Sequence, residues 1–219
     1  GQPGRFLYPI IYFHWTSPLS WGSLFLPLFG LCIVGFFYGM HKQDAGLTKI
    51  TGVLGSLLAL SMPLYTGLDL MVNQARELWS NPTIPLLFVI LSVSSGTAVV
   101  AVTQLARGQL GEKMAEFLHL FLYIALGITL ALFLAELVVL TYGSGEKLQA
   151  YQIINEHFSM QFWGLTFFVG ILLPLAMIAV PRIGRDPRVL TIAAVLSLVG
   201  AFSFREVLIY AGQLTMINF

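Results

Sequence analysis

Six uninterrupted apolar runs, at about residues 19–40, 47–72, 84–105, 114–141, 162–181 and 189–213, constrain this chain more than any other feature. Each has the roughly 20 residues that a helix needs to cross a hydrocarbon core about 30 Å thick. The runs are continuously apolar instead of alternating, so they predict helices, which satisfy their own backbone hydrogen bonds in lipid, and not barrel strands. Between them charge is too sparse to coat a water-facing surface. Charged residues make up 10% of the chain, whereas a soluble domain has about 25%. The expected fold is an all-α polytopic transmembrane helix bundle of about six helices, forming a single transmembrane domain over residues 1–219. No second soluble domain or internal repeat is evident.

The same sequence excludes several chemistries. One cysteine, Cys32, lies inside the first run, so no disulfide or thiolate-ligated iron–sulfur cluster can be built from these residues alone. Its expected role is that of a buried structural thiol. Bis-histidine haem needs facing pairs, yet of His14, His41, His119 and His157 only His119 falls within a span. Clustered zinc ligands and the HExxH, GxSxG and Walker patterns are missing from the sequence. A net charge of +1 without a basic stripe gives no reason to expect nucleic acid.

Orientation follows from the basic residues. Arg5, Arg76 and Lys147 lie on one side of the spans, and Lys42, Lys49, Arg107, Lys113, Arg182, Arg185 and Arg188 on the other. The positive-inside rule makes the second side cytoplasmic. Both visible termini and the loops VNQARELWSNPT and GSGEKLQAYQIINEHFSMQ are then outside, along with an interfacial belt that includes Trp15, Trp21, Trp79, Tyr142 and Trp163. The chain begins at Gly1 without a methionine or a signal-peptide pattern, which suggests processing or a missing N-terminal portion.

Ionisable residues inside spans are costly, about 2.5 to 3.5 kcal/mol on insertion scales, and each marks a candidate site. Here they are Asp69, Glu116, His119, Glu136, Arg205 and Glu206. Tyr65 and Asp69 are spaced i, i+4 on one helix face, with Pro63 and Gly67 beside them. At 1.5 Å per residue, Glu136, Arg205 and Glu206 reach similar outer depths, while Glu116, His119 and Tyr123 share a face nearer the inner end. Blander roles stand beside these: interfacial solvation for Asp69 and Glu116, packing for His119, and a structural ion pair of Arg205 with Glu136 or Asp69. A tyrosine hydroxyl with buried carboxyls and no redox centre suits quinone chemistry, in which each carbonyl oxygen receives a hydrogen bond and then a proton. Electrons would pass to or from a partner's iron–sulfur cluster. A secondary transporter would instead show inverted repeats with broken helices, and none is detected.

The stretch PLYTGLDLMVNQARELWSNPTIPLLFVILSVSSGTAVV resembles the NrfD/PsrC family, the membrane subunits of polysulfide-reductase type, in its Tyr-Thr-Gly, its short Trp-Ser-Asn-Pro loop and its small-residue Ser-Ser-Gly segment. SLVGAFSFREVLIYAGQ resembles that family's closing helix and SPLSWGSLFLPLFG its third helix, so the resemblance runs from about Ser17 to Gln213. It implies a quinone-reactive anchor in a prokaryotic inner membrane, with menaquinone or ubiquinone as cofactor and no haem or iron–sulfur cluster of its own. The implied partners are a periplasmic ferredoxin-like iron–sulfur subunit and, through it, a molybdopterin oxidoreductase or a multihaem cytochrome. Tyr65 matches the family tyrosine thought to bind the quinone head group; Asp69, Glu136 and Arg205 are carried over on looser motifs. Glu116, His119, Tyr123 and Glu206 are candidates for a proton path. The loop bearing Arg76, Trp79 and Asn81 is expected to help form the docking face. Family members usually have eight or more helices, so two N-terminal helices are expected to be missing, in either a fragment or a shortened chain. Its quinone site would then be completed by another subunit or lost, the latter leaving a non-catalytic scaffold.

Overall fold

The computed structural model describes residues 5, 7–143, 145–180 and 184–214; Arg182 and the end of the fifth predicted run, at Pro181, lie outside them. The described residues form helices and no strand. Among the described residues six helices are long and apolar enough to cross a membrane, and the molecule is a multi-pass membrane protein. In order, α1 is Tyr8–Ile11, α2 Pro18–Lys42, α3 Ala45–Met71, α4 Thr83–Ala106, α5 Glu112–Tyr142 and α6 Gly145–His157. A π-helical stretch, Met160–Leu172, then runs into α7, Leu173–Ala179, and α8, Pro187–Leu214, closes the described residues.

Each span matches a predicted run to within about two residues at either end, because the polar and turn-forming residues between runs also supply the caps. Gln43 ends α2 in the left-handed region (φ 59°), and Asp44 then caps α3 by accepting from the Leu47 N–H at 3.1 Å. Asp186 caps α8 in the same way, through the Arg188 N–H at 2.8 Å.

Residue contacts divide the chain into two compact units, Gly1–Val72 and Asn73–Phe219. The first is built on the α2–α3 hairpin. Its helices approach closely at small residues: a Cβ added to Gly39 would stand 2.7 Å from the Thr48 hydroxyl oxygen. Cys32 is a free thiol only half-buried in this unit, since a hairpin of two helices has too few neighbours to enclose it. The second unit is a four-span bundle in which α8 packs against α4, the π-helical stretch and α7, and α5 packs on α4. Gly170 and Gly200 meet backbone to backbone where the π-helical stretch crosses α8, leaving no room for a side chain on either.

Two features of the second unit depart from what the sequence predicts. The segment expected to be a loop after α5 is a helix, α6, with Ala150 and Ile154 buried beneath it. The fifth span begins as a π-helix. In that stretch the Gln161 carbonyl accepts hydroxyl hydrogen bonds from Thr166 of its own helix and from Ser203 of α8, each at 3.0 Å.

Candidate functional site

Two polar nodes of the second unit lie toward the end that carries α6. Helix α5 turns Glu136 into the bundle, where it is 3% exposed. Its Oε2 accepts from Asn81 Nδ2 at 2.7 Å and from the Thr83 hydroxyl. Asn81 Oδ1 meanwhile accepts from the Thr83 backbone N–H at 3.2 Å. The amide therefore has its donor on Glu136 and its acceptor on the first turn of α4, and this network fixes which way it points.

Oε1 of Glu136 is buried without a hydrogen-bond partner among the described residues. Glu136 lines a cavity of about 10 Å³ together with Leu78, Leu140, Ile154, Phe162, Phe204, Val207 and Leu208. Asn81 and Thr83 are not in that lining. The space is about one water molecule in size.

A second node is centred on Arg205 of α8, which is half-buried. Its Nη2 donates to Ser92 Oγ at 2.8 Å and to the Phe88 carbonyl at 3.2 Å. Its guanidinium carbon stands 5.4 Å from the Phe88 ring centroid, within cation–π range. Ser92 Oγ donates to the same carbonyl at 2.8 Å. The structural pair with Glu136 is not formed: the guanidinium is met by a helix carbonyl, a hydroxyl and a ring face, one of the ways a cation is accommodated at membrane depth. Glu206, next in sequence, is half-buried on a different face of α8.

The segment between Val72 and α4 folds back onto the C-terminus of α8. Arg76 Nη1 donates to the carbonyls of Gly212 and Gln213 at 3.0 and 2.8 Å, placing a cation on groups that a helix end leaves unsatisfied. Trp79 Nε1 donates to the Leu208 carbonyl at 2.8 Å, and its indole fills the space a side chain at Gly212 would need. Asn81 is 4% exposed. Of the three residues expected to face a partner, Arg76 and Trp79 are half-buried against α8 and Asn81 is internal. Beside them Glu77 and Lys147 of α6 approach at 3.9 Å, partly exposed.

At the opposite end of the bundle, His119 Nε2 lies 2.9 Å from the Ile178 carbonyl at the close of the fifth span. A carbonyl oxygen can only accept, so Nε2 carries the proton in that bond. Tyr123 stacks on the imidazole, with centroids 6.3 Å apart, and is itself exposed. Glu116 is exposed and lies 3.9 Å from Arg185. Arg107, Lys113 and Arg188 are also exposed and cluster at the helix termini of this end.

In the first unit the Tyr65 ring packs directly over Gly22, filling the volume of a Cβ there. Tyr65 is half-buried, and its hydroxyl makes no hydrogen bond among the described residues. Asp69, one turn further along α3, is exposed, and Gly67 between them is buried.

Thr83 and Ser92 do not stand out in the sequence, since hydroxyls in apolar spans usually bond back to their own helix. The Ser-Asn-Pro-Thr cap pattern is the available signal for Asn81 and Thr83, because a capping side chain is held against the first turn of its helix and cannot project freely.

The polysulphide reductase, NrfD family model matches residues 1–218. A protein NrfD homolog from Haemophilus influenzae is 30% identical over 73% of this chain and 51% of its own length. The Hdr-like menaquinol oxidoreductase integral membrane subunit of Archaeoglobus fulgidus is 25% identical over 97% of this chain and 56% of its own. Protein NrfD of Escherichia coli is 24% identical over 98% and 76%. The chain thus spans about half the length of the first two of these relatives. With the matched region running through both units, the chain belongs to the NrfD, or polysulphide reductase, family.

Proposed function

We propose that this chain is a quinone- or quinol-reactive membrane subunit of a respiratory oxidoreductase, exchanging electrons with an iron–sulfur partner on the periplasmic side. The observation that carries the reading is Tyr65. A phenol within a membrane span, packed over Gly22 and without a hydrogen-bond partner among the described residues, has a donor to offer an incoming carbonyl oxygen. The family supports it, since it is described as polysulphide reductase and one relative is named a menaquinol oxidoreductase subunit. Menaquinone or ubiquinone would enter laterally from the bilayer.

In this reading Tyr65 donates to one carbonyl of the head group. Asp69, Glu136 and Arg205 are the other quinone-binding candidates from the sequence, and Glu116, His119, Tyr123 and Glu206 are candidates for moving protons. Reducing the quinone takes two electrons and two protons; oxidising the quinol releases the same. The docking surface would be formed by Glu77, Lys147 and the exposed residues 73–75, with Asn81 holding the loop from inside. Tyr65→Phe should lower quinone-linked turnover about tenfold or more, the effect of a hydrogen bond made to the reacting group, while the complex stays assembled. Unchanged turnover would sink the assignment.

A non-catalytic scaffold is favoured by a different observation: Oε2 of Glu136 and the Arg205 guanidinium are already engaged within the bundle. It predicts assembly without binding of a quinone analogue.

A further inference from the structure

The two oxygens of Glu136 are held in opposite situations. Oε2 is fixed by Asn81 and Thr83, whereas Oε1 is buried without a partner among the described residues, on a side chain that lines a water-sized cavity. An oxygen with two donors is unavailable for exchange, and one without a partner is not. The remaining walls of that cavity are apolar. Phe204, Val207 and Leu208 come from α8, Phe162 from the π-helical stretch, and Leu140 from α5 itself.

Leu78 and Ile154, both buried, complete the lining. Leu78 follows Glu77 in sequence, and Ile154 lies on α6, the helix that carries Lys147. Glu77 and Lys147 approach at 3.9 Å with side chains 33% and 22% exposed, so water reaches the chain one residue from Leu78 and on the helix that bears Ile154.

We propose that Glu136 Oε1 is a proton-exchange site, positioned by Asn81 and Thr83, that communicates with the aqueous phase at the α6 end past Leu78 and the Glu77–Lys147 pair. As a carboxylate, Oε1 takes one proton from within the bundle and becomes neutral. The same proton leaves to water by the α6 end and the carboxylate is regenerated, with no electron transferred. The quinone reading enters only as the source of the proton, a quinol hydroxyl.

The test is infrared difference spectroscopy of the intact complex in membranes, following the carbonyl stretch of a protonated carboxylic acid and its shift on transfer to heavy water. Glu136→Gln should remove one such band and Glu136→Asp should restore it at a shifted frequency. Thr83→Val should raise the frequency in the native side chain by removing a donor from Oε2. Lys147→Ala should slow or speed deuterium exchange of the band about tenfold, as a change of one decade in a rate follows from a small change in barrier, without altering its frequency class. If Glu136→Gln fails to assemble, isotopically labelled glutamate combined with Thr83→Val identifies the band. A spectrum without a band sensitive to Glu136 or Thr83 overturns the proposal, as does an exchange rate indifferent to Lys147. Normal turnover in Tyr65→Phe alongside a Glu136-dependent band would instead remove the quinone reading and leave the exchange site standing.

Discussion

The two compact units use apolar sequence differently. In the spans of the first, α2 and α3, 6% of the most apolar window is buried, whereas the spans of the second reach between 33% and 50%. All six have similar mean hydropathy, from 1.4 to 2.4. Hydropathy therefore reports that a helix can lie in lipid and not how much of it meets other helices, since a lipid tail and a leucine side chain are nearly equivalent neighbours. Small residues bring helices together in both units, Gly39 against Thr48 in the first and Gly170 against Gly200 in the second, and the second adds polar contacts between helices: Ser203 of α8 on the Gln161 carbonyl, and Asn81 and Thr83 on Glu136.

The comparison is sharpest at its glycines. Gly200→Leu should have the largest effect, because the obstacle is the Gly170 backbone, which cannot step aside. A loss of about 3 kcal/mol is expected, at the upper end for overpacking, measured as a drop in the thermal unfolding midpoint in detergent. A small effect there would break the contrast between the units. Gly22→Ala in the hairpin first meets the movable Tyr65 ring, so about 1 kcal/mol is expected. Tyr65→Ala in the same chain should recover most of it in a double-mutant cycle, showing coupling between neighbours. In the quinone reading, Gly22→Ala should also depress turnover by displacing the phenol.

The smallest effect belongs to the exposed Glu116–Arg185 pair. At 3.9 Å and with both side chains about two-thirds exposed, Glu116→Gln should change stability by no more than about 0.5 kcal/mol. A larger loss in the same unfolding assay would give this end of the bundle a structural role that its exposure does not suggest.

Much of the site is visible in sequence as a set of residues and very little of it as an arrangement. Glu136 and Arg205 stand out because ionisable groups in apolar runs are costly, and both are indeed in spans. That cost does not reveal how each is compensated. Arg205 has an acid next to it in sequence, yet it bonds to Ser92 and the Phe88 carbonyl. Asn81 sits in a loop pattern that suggests exposure, yet it is buried because the loop turns inward under Trp79 and Arg76. Helix α6 has the sequence of a loop because its polar residues outnumber the two, Ala150 and Ile154, that anchor it.

The six spans, their boundaries and the family are determined by the amino-acid sequence alone, because the thickness of a bilayer and the need to satisfy backbone groups within it act on each segment separately. Tertiary structure decided which polar side chains are already engaged and which atoms remain available. Glu136 meets Asn81 across 55 residues of sequence, and a contact of that kind depends on how whole helices pack, which no local pattern encodes.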